Sequence, residues 1–133
     1  MRREGKTSPA NGYGLTETTS AIITNSGADY FASPDSIGRP VPTCDAVIVD
    51  DNGNQLGDNQ IGELWVRGPN IIPGYWKNPA ATEAAFGGGW FRTGDLGYRD
   101  TNGLHYVVDR KKDVIIRGGE NVYCAEVEAA ILE

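Results

Sequence analysis

The sequence has few of the residues that build metal centres and disulfide frameworks, with two cysteines and one histidine among its 133 residues. Cys44 and Cys124 lie far apart and outside any CxxC or Cys/His pattern, which argues against a zinc site. Free thiols are the ordinary state of cysteine in the cytoplasm, so we predict a cytoplasmic protein. No apolar run approaches the length of a membrane span, and the basic start lacks the apolar stretch of a secretory signal.

Positive charge is also scarce, because 12 Lys and Arg residues face 18 Asp and Glu residues, for a formal net charge of -6. Broad binding to nucleic acid depends on cations that neutralise phosphates, so we do not expect a nucleic-acid partner. A polybasic membrane anchor is equally unsupported. A few backbone N–H groups and one or two cations can still hold a phosphate. The composition therefore leaves small anionic ligands as an open class.

Glycine, in contrast, is abundant, with 18 residues. This abundance predicts many tight turns rather than a helical bundle. Runs of β-branched or alternating apolar residues, each bounded by turn residues, predict short strands. These runs lie at residues 46–50, 62–68, 104–109 and 114–116.

Turns and helices complete the predicted secondary structure. Asn-Gly pairs tolerate the positive φ of tight turns, which predicts turns at 51–54 and 100–103, and a further glycine turn is expected at 94–95. Residues 21–36 mix apolar residues with Asn, Gly, Ser and Pro, and we expect them to form a long loop. Helices are predicted at 78–86, after an Asn-Pro start, and at 125–133.

A hydroxyl-rich segment near the N-terminus is the first candidate site. Gly12 and Gly14 would let the backbone approach a flat ligand, and Tyr13 would offer an aromatic face to a base. Thr16 has a hydroxyl for phosphate oxygens, and Glu17 has the hard carboxylate oxygen that Mg²⁺ prefers. Composition alone favours an ordinary polar loop, because such residues are common in loops.

Three later segments also offer ligand-binding groups. A carboxylate beside a glycine, such as Asp95, can accept hydrogen bonds from both hydroxyls of a ribose. Arg110 could reach a ribose or phosphate oxygen with its fork of donors. Gly118 and Gly119 leave room for a narrow ligand such as a phosphate or a pantetheine arm. Taken singly, each segment is better explained as a capped turn, a solvated charged connector or a hairpin.

Two other features are interpreted as structural. His105 lies in a predicted strand without a nearby acid or nucleophile in the sequence, so we expect it to be structural or exposed. The aromatic residues Tyr75, Trp76, Trp90 and Phe91 are expected to belong to the core rather than to line a ligand site.

Six motifs in a fixed order make a stronger signal than any of them alone. They are Asn-Gly-Tyr-Gly-Leu-Thr-Glu-Thr from Asn11, Gly-Glu-Leu-Trp-Val-Arg-Gly from Gly62, Gly-Tyr-Trp-Lys-Asn-Pro from Gly74, Gly-Trp-Phe-Arg-Thr-Gly-Asp-Leu from Gly89, Asp-Arg-Lys-Lys-Asp-Val-Ile from Asp109 and Gly-Gly-Glu-Asn-Val-Tyr from Gly118. This series resembles the adenylate-forming superfamily, and within it the fatty-acid and related acyl-CoA synthetases. The resemblance covers nearly the whole chain.

The resemblance implies a two-step reaction. A carboxylic acid attacks the α-phosphate of Mg·ATP, which gives an acyl-adenylate and pyrophosphate, and the thiol of coenzyme A then displaces AMP. The implied cofactors are ATP/AMP, Mg²⁺ and coenzyme A, and the implied partners are the nucleotide and the carboxylic acid. The first step develops charge on phosphorus, so it calls for cations and fixed donors more than for a proton shuttle.

The resemblance also implies a role for each residue of the first motif. Tyr13, between Gly12 and Gly14, would lie beside the adenine. Thr16 would contact phosphate oxygens, and Glu17 would hold Mg²⁺.

The later motifs receive roles in the same way. Asp95 would bind the ribose hydroxyls with support from Arg110. Lys112 would be the hinge about which a small C-terminal domain rotates between the two half-reactions. The passage for the pantetheine arm would be lined by Gly118, Gly119 and Glu120.

The fold implied by the resemblance is mainly β with some α. Residues 1–35 would be a remnant of the large N-terminal domain, and residues 36–111 would form its distorted antiparallel β-barrel subdomain. Residues 112–133 would hold the hinge and the beginning of the small α+β C-terminal lid domain.

Several parts of the family pattern do not occur in the sequence, namely the phosphate loop that ends in Pro-Lys, most of the acyl pocket and the late C-terminal lysine. We therefore expect a fragment of an AMP-forming acyl-CoA synthetase, of the fatty-acid class, that is inactive by itself. The alternative is a non-catalytic binding module or a subunit that complements a partner chain. Surfaces exposed by truncation would favour self-association.

Overall fold

The structure of this chain is a computed structural model, and it describes residues 8–132. In this part of the chain, ten strands form three antiparallel sheets, accompanied by three short α-helices. The strands are β1 (Ala10–Tyr13), β2 (Ile23–Ser26), β3 (Arg39–Pro40), β4 (Asp45–Val49), β5 (Gly62–Arg67), β6 (Phe86–Gly87), β7 (Trp90–Arg99), β8 (His105–Arg110), β9 (Ile115–Arg117) and β10 (Glu120–Val122). The helices are α1 (Gly27–Ala32), α2 (Pro79–Ala85) and α3 (Cys124–Leu132), and Thr16–Thr18 forms one 3₁₀ turn.

The largest sheet is a curled antiparallel sheet of five strands centred on β7. Strand β5 pairs with one edge of β7, and β4 pairs with β5. Strands β6 and β8 share the other edge of β7, each along a different half of it. This curled sheet confirms the expected fold class, which is mainly β with some α.

The core lies where strand β2 meets the inner face of the large sheet. Alternate side chains of β5 and β7 are buried, as the two-residue period of a strand requires. Removing each large apolar side chain of this core from water contributes about 1.5–3 kcal/mol. The buried cluster consists of Ile22, Ile23, Ile48, Leu64, Val66 and Phe91.

Gly38 and His105 join the small sheet, β1–β2–β3, to the large one. The backbone N–H of His105 donates to the Gly38 carbonyl at 2.9 Å, and the N–H of Ile37 donates to the His105 carbonyl at 2.9 Å. Ser36 Oγ donates to the same His105 carbonyl at 2.8 Å. Burial lowers the pKa of His105, which keeps the imidazole neutral. The structure therefore buries His105 in a junction between sheets, which fits its expected structural role.

The loop expected at residues 21–36 was a wrong prediction, because this segment forms β2 and α1. Ile23 is fully buried and pairs with Tyr13 across the strands. Asn25 weakened the strand signal in the sequence, but its side-chain amide donates to the carbonyls of Ser33 and Ser36 at 2.8 and 3.0 Å. Tertiary packing and these capping bonds outweighed the loop-like local composition.

The turn expected at 94–95 was also wrong, because both residues lie inside the continuous strand β7. Gly94 has a φ of +76°, and the register between β5 and β7 shifts between Glu63 and Trp65. The glycine thus marks a β-bulge rather than a reversal of the chain.

The other local signals agree with the structure. The turn at 100–103 connects β7 to β8, and the pair at 118–119 connects β9 to β10. Asn78 caps α2, since its side chain accepts the N–H of Ala81 at 3.1 Å. Within residues 8–132 no helix is both long enough and apolar enough to cross a membrane.

Replacement of Gly38 by alanine tests the junction. Gly38 has a φ of +98°, and a Cβ there would collide with the Thr24 carbonyl oxygen. We expect Gly38→Ala to lower the free energy of unfolding by more than about 3 kcal/mol. Gly88→Ala is the matched control, because Gly88 has a φ of +60° with open space around it, and we expect a loss of only about 1–2 kcal/mol. Urea denaturation of both variants measures the difference, and equal losses would contradict this account of the junction.

Candidate functional site

The carboxylate of Asp95 lies at the centre of the candidate site, with only 7% of its side chain exposed. The hydroxyl of Tyr13 donates to Oδ2 at 2.5 Å. The guanidinium of Arg110 forms an ion pair with the same carboxylate, with Nε 2.8 Å from Oδ1. Each oxygen of an ionised carboxylate can accept about two hydrogen bonds. Asp95 is therefore held from two sides and retains acceptor capacity for a further donor pair.

Strand register explains why these three side chains meet. Asp95 and Arg110 are directly opposite each other on β7 and β8, which makes them a cross-strand pair of opposite charge. Tyr13 is the last residue of β1. The bulge at Gly94 is fixed by Thr93, whose hydroxyl donates to the Leu64 carbonyl at 2.7 Å and accepts the N–H of Asp95 at 3.1 Å.

The protonation state of Tyr13 follows from its surroundings. Burial raises the pKa of the Tyr13 hydroxyl, and the hydrogen bond to Asp95 raises it further. The hydroxyl therefore stays protonated at physiological pH and remains a donor to Asp95.

Glu17 lies on the 3₁₀ turn that follows β1 and is held by a second tyrosine. The hydroxyl of Tyr75 donates to Glu17 Oε1 at 2.8 Å, and the N–H of Ile72 donates to the Glu17 carbonyl at 2.9 Å. Burial raises the pKa of Tyr75, and the hydrogen bond to Glu17 adds to the effect. Among the residues that the structure describes, no other group donates to the Glu17 carboxylate, so its second oxygen is available to a cation.

A cavity of about 520 Å³ is lined by Glu17, Tyr75 and Arg110, whereas Tyr13 and Asp95 do not line it. Its polar lining includes the predicted residues Thr16, Glu17 and Arg110, together with Arg92. Two guanidinium groups therefore face one carboxylate, a balance that suits an anionic ligand with an accompanying cation. The full lining is Gly14, Leu15, Thr16, Glu17, Tyr75, Phe91, Arg92, Thr93 and Arg110.

A larger neighbouring cavity of about 880 Å³ shares Tyr75, Arg92 and Thr93 with the first. Both volumes lie in the range of small-molecule sites, about 300–1,000 Å³. The two cavities are thus adjacent parts of one depression along β7.

Chain packing explains one of the two glycines beside Tyr13. Gly12 lies in β1 opposite Thr24, and a Cβ there would make only an ordinary contact with Ala21 at 3.5 Å. A Cβ at Gly14 would come within 2.6 Å of the Ser20 carbonyl oxygen. Gly14 also lines the smaller cavity, so both close packing and approach to a ligand require a small residue there.

The residues after β8 lie outside both cavities. Lys112 is exposed in the turn that follows Arg110. Gly118, Gly119 and Glu120 form the exposed end of the β9–β10 hairpin. The structure therefore does not bring these four residues to the groups around Asp95.

Sequence reasoning missed three polar residues that line the smaller cavity, namely Tyr75, Arg92 and Thr93. All three lie in the ordered motifs, so the motifs pointed to them, but no local pattern tells which side chains face a cavity. The expectation that Trp76 belongs to the core was wrong, because 87% of this residue is exposed. Phe91 does belong to the core, with 3% exposed.

Within residues 8–132 no group of three or more His, Cys, Asp and Glu side chains is arranged to hold a metal ion. Among the described residues, Glu17 is the one carboxylate that lines the smaller cavity. A divalent cation at this place would need further ligands from a bound anion or from water.

Comparison with known proteins places this geometry in a family. Residues 1–76 match the family model described as AMP-binding enzyme. The chain belongs to this family, and so to the adenylate-forming superfamily. The match covers the 3₁₀ turn of Glu17, strands β1 to β5 and the Tyr75 that holds the glutamate.

Curated relatives in this family include ligases for different acids. The chain is 48% identical over 120 residues to a 2-succinylbenzoate–CoA ligase of Bacillus velezensis, which covers 90% of this chain and 24% of the relative. It is 44% identical over 123 residues to a long-chain-fatty-acid–CoA ligase of Escherichia coli O157:H7, which covers 92% of this chain and 22% of the relative. The chain thus spans about a quarter of the length of the curated relatives it matches.

Solved structures agree with the fold. The unliganded O-succinylbenzoate coenzyme A synthetase of Bacillus subtilis superposes with a TM-score of 0.89 at 43% identity, over 98% of this chain and 28% of the synthetase. The same synthetase in complex with ATP and magnesium ion gives a TM-score of 0.88 at 43% identity. This match covers 98% of this chain and 27% of the synthetase.

Removal of the Tyr13 hydroxyl tests how firmly Asp95 is held. Tyr13→Phe deletes a donor to a buried carboxylate, and we expect it to lower the free energy of unfolding by about 1.5–3 kcal/mol. Tyr30→Phe is the control, because in the described part of the chain the Tyr30 hydroxyl makes no hydrogen bond, and we expect a loss below about 0.5 kcal/mol. Chemical denaturation measures both, and equal effects would contradict the importance of this hydrogen bond.

Proposed function

We propose that this chain supplies part of the nucleotide site of an AMP-forming acid–CoA ligase. The observation that carries the proposal is the buried Asp95 carboxylate, held between Tyr13 and Arg110 beside a cavity that carries Glu17. Membership in the AMP-binding enzyme family and the likeness to acid–CoA ligases support the same activity.

Asp95 is proposed to bind the ribose. A ribose diol presents two donors, and the Asp95 carboxylate keeps acceptor positions free after it has paired with Tyr13 and Arg110. Arg110 is half-exposed, so its remaining donors can reach ribose or phosphate oxygens. The position of Tyr13 beside this carboxylate supports its predicted place next to the nucleoside, while stacking on the adenine stays a prediction.

Thr16 and Glu17 are proposed to bind the phosphate end. Mg²⁺ is commonly held by one or two carboxylates together with phosphate oxygens and water. One carboxylate with a free oxygen, on a cavity wall that also carries a threonine hydroxyl and two guanidinium groups, fits a Mg·nucleotide. This donor set would supply Mg²⁺ with one protein ligand and the phosphates with charge neutralisation.

The division of the chain is also proposed. Residues 1–35 would belong to the large domain, 36–111 to its β-barrel subdomain and 112–133 to the hinge and the lid. The exposed position of Lys112 in the turn that follows β8 supports its role as the hinge. The exposed tip of the β9–β10 hairpin supports a role for Gly118, Gly119 and Glu120 with coenzyme A only after rotation of the lid, because this tip lies outside the cavities here.

The acid that is activated stays open. The fatty-acid class was expected from the resemblance, but the relatives include ligases for 2-succinylbenzoate as well as for long-chain fatty acids. We therefore propose a carboxylic acid and coenzyme A as the substrates. The cytoplasmic location also stays a prediction.

A nuclear magnetic resonance titration of the chain with AMP and Mg²⁺ tests the site. We expect the amide shifts to move at the cavity residues, and Asp95→Asn to weaken binding at least about tenfold through the loss of a charged acceptor. Asp58→Asn is the control, because Asp58 forms a surface ion pair with Arg99. Such pairs contribute at most about 1 kcal/mol.

A hybrid enzyme tests the activity. The chain would replace the corresponding segment of the Bacillus subtilis synthetase, and the hybrid should release AMP only when acid, ATP and coenzyme A are present. A folded hybrid without this activity, and no shifts in the titration, would contradict the proposed function. Binding by the chain only when a partner chain is added would favour the complementing module instead.

Exposed apolar side chains lead to a separate expectation. Trp76, Ile116, Ile131 and Leu132 are each at least 74% exposed. Large exposed apolar groups favour association, so we expect the chain to self-associate as its concentration rises. Light scattering that shows a strict monomer at high concentration would contradict this.

A further inference from the structure

We infer that Glu63 is a positioning residue that holds the Asp95–Arg110 pair in the geometry that binds a ribose. The inference rests on the proposed function and adds a residue to it. Glu63 belongs to the second ordered motif, which received no role from the resemblance, and its side chain is only 12% exposed.

Each oxygen of the Glu63 carboxylate holds one neighbour of the pair. Oε1 accepts the backbone N–H of Gly94 at 3.3 Å. Oε2 accepts from the ammonium group of Lys111 at 3.1 Å. Gly94 precedes Asp95 and Lys111 follows Arg110, so one carboxylate on β5 contacts β7 beside Asp95 and the turn that begins after Arg110.

A backbone hydrogen bond closes this arrangement. The N–H of Lys111 donates to the Gly94 carbonyl at 2.8 Å. Gly94, Lys111 and Glu63 thus form a closed ring of three contacts, which we call the Glu63 clamp. Because the clamp ties β8 to the bulge of β7, it restrains the distance between the Asp95 carboxylate and the Arg110 guanidinium.

The bulge explains why such a clamp is needed. Between the Leu96 and Arg92 pairings of β7, three residues face the single residue Leu64 of β5. A bulge leaves backbone groups without ladder partners, and the Glu63 carboxylate takes the place of a ladder carbonyl for Gly94.

A second carboxylate provides a matched comparison. Lys111 also contacts Asp51 at 3.0 Å, but the Asp51 side chain is 90% exposed. Surface pairs of this kind contribute little, and among the described residues Asp51 makes no hydrogen bond with Gly94. Loss of Asp51 should therefore leave the clamp in place.

The hybrid enzyme tests the inference through the ribose itself. The penalty for removing the diol is the ratio of the KM for 2′,3′-dideoxy-ATP to the KM for ATP. If Glu63 acts through Asp95 and Arg110, Glu63→Ala should raise the KM for ATP about tenfold. The substitution should also lower the penalty towards one, because Glu63→Ala and the removal of the ribose hydroxyls disrupt the same interaction. Asp51→Asn should leave both values within about twofold.

A penalty that does not change would contradict the role of Glu63. If Glu63→Ala raises both KM values by the same factor, so that the penalty is unchanged, Glu63 is merely structural or contacts another part of the nucleotide, and the inference is overturned. An inactive hybrid that retains Glu63 would instead contradict the proposed function.

A second measurement on the 133-residue chain needs neither nucleotide nor activity. We expect amide hydrogen exchange at Gly94 and Lys111 to accelerate about tenfold in Glu63→Ala, since opening free energies govern exchange. Exchange at Val66, on the far half of β5, serves as the internal reference. Unchanged rates at Gly94 and Lys111 relative to Val66 would overturn the clamp even if the variant hybrid fails to fold.

Discussion

Burial of the Asp95 carboxylate constrains the rest of the structure. A buried charge is tolerated only when it is paired and hydrogen-bonded. The partners of Asp95 come from β1, in the small sheet, and from β8, which pairs with β7 in the large sheet. The chain can satisfy this carboxylate only if the small sheet, the bulged strand and the β7–β8 hairpin are all in place, so the fold and the candidate site are stabilised together.

The junction between the sheets extends this constraint to residues that do not contact Asp95. Gly38 and His105 join the sheet of β1 to the strand that bears Arg110, and the apolar cluster around Ile23 and Phe91 fills the space between. Packed interiors resist small displacements, so the Tyr13 hydroxyl is fixed relative to Asp95 although neither residue belongs to the junction. The chemistry of the site is polar, but its precision comes from the apolar core.

Sequence reasoning found the chemically distinctive residues and missed those whose role depends on packing. Ordered motifs indicated Glu17, Asp95 and Arg110. Apolar runs bounded by turn residues predicted much of the β framework, and the Asn-Pro start predicted helix α2. The strand and the helix within residues 21–36 were not predicted, because their stability comes from tertiary contacts. Gly94 was assigned to a turn because local sequence does not separate a reversal from a bulge. Tyr75 escaped because its partner carboxylate lies far away in the sequence.

The distances along the chain imply an order of folding. Asp95 and Arg110 belong to one hairpin, whereas Tyr13 is separated from Asp95 by 82 positions. Closing a longer loop loses more chain entropy, and non-local pairings form slowly for that reason. We therefore expect the hairpin to bring carboxylate and guanidinium together early, with the tyrosine hydroxyl arriving last. Nucleotide affinity would then report completed folding, because a partly folded chain presents the ion pair without the donor that completes it.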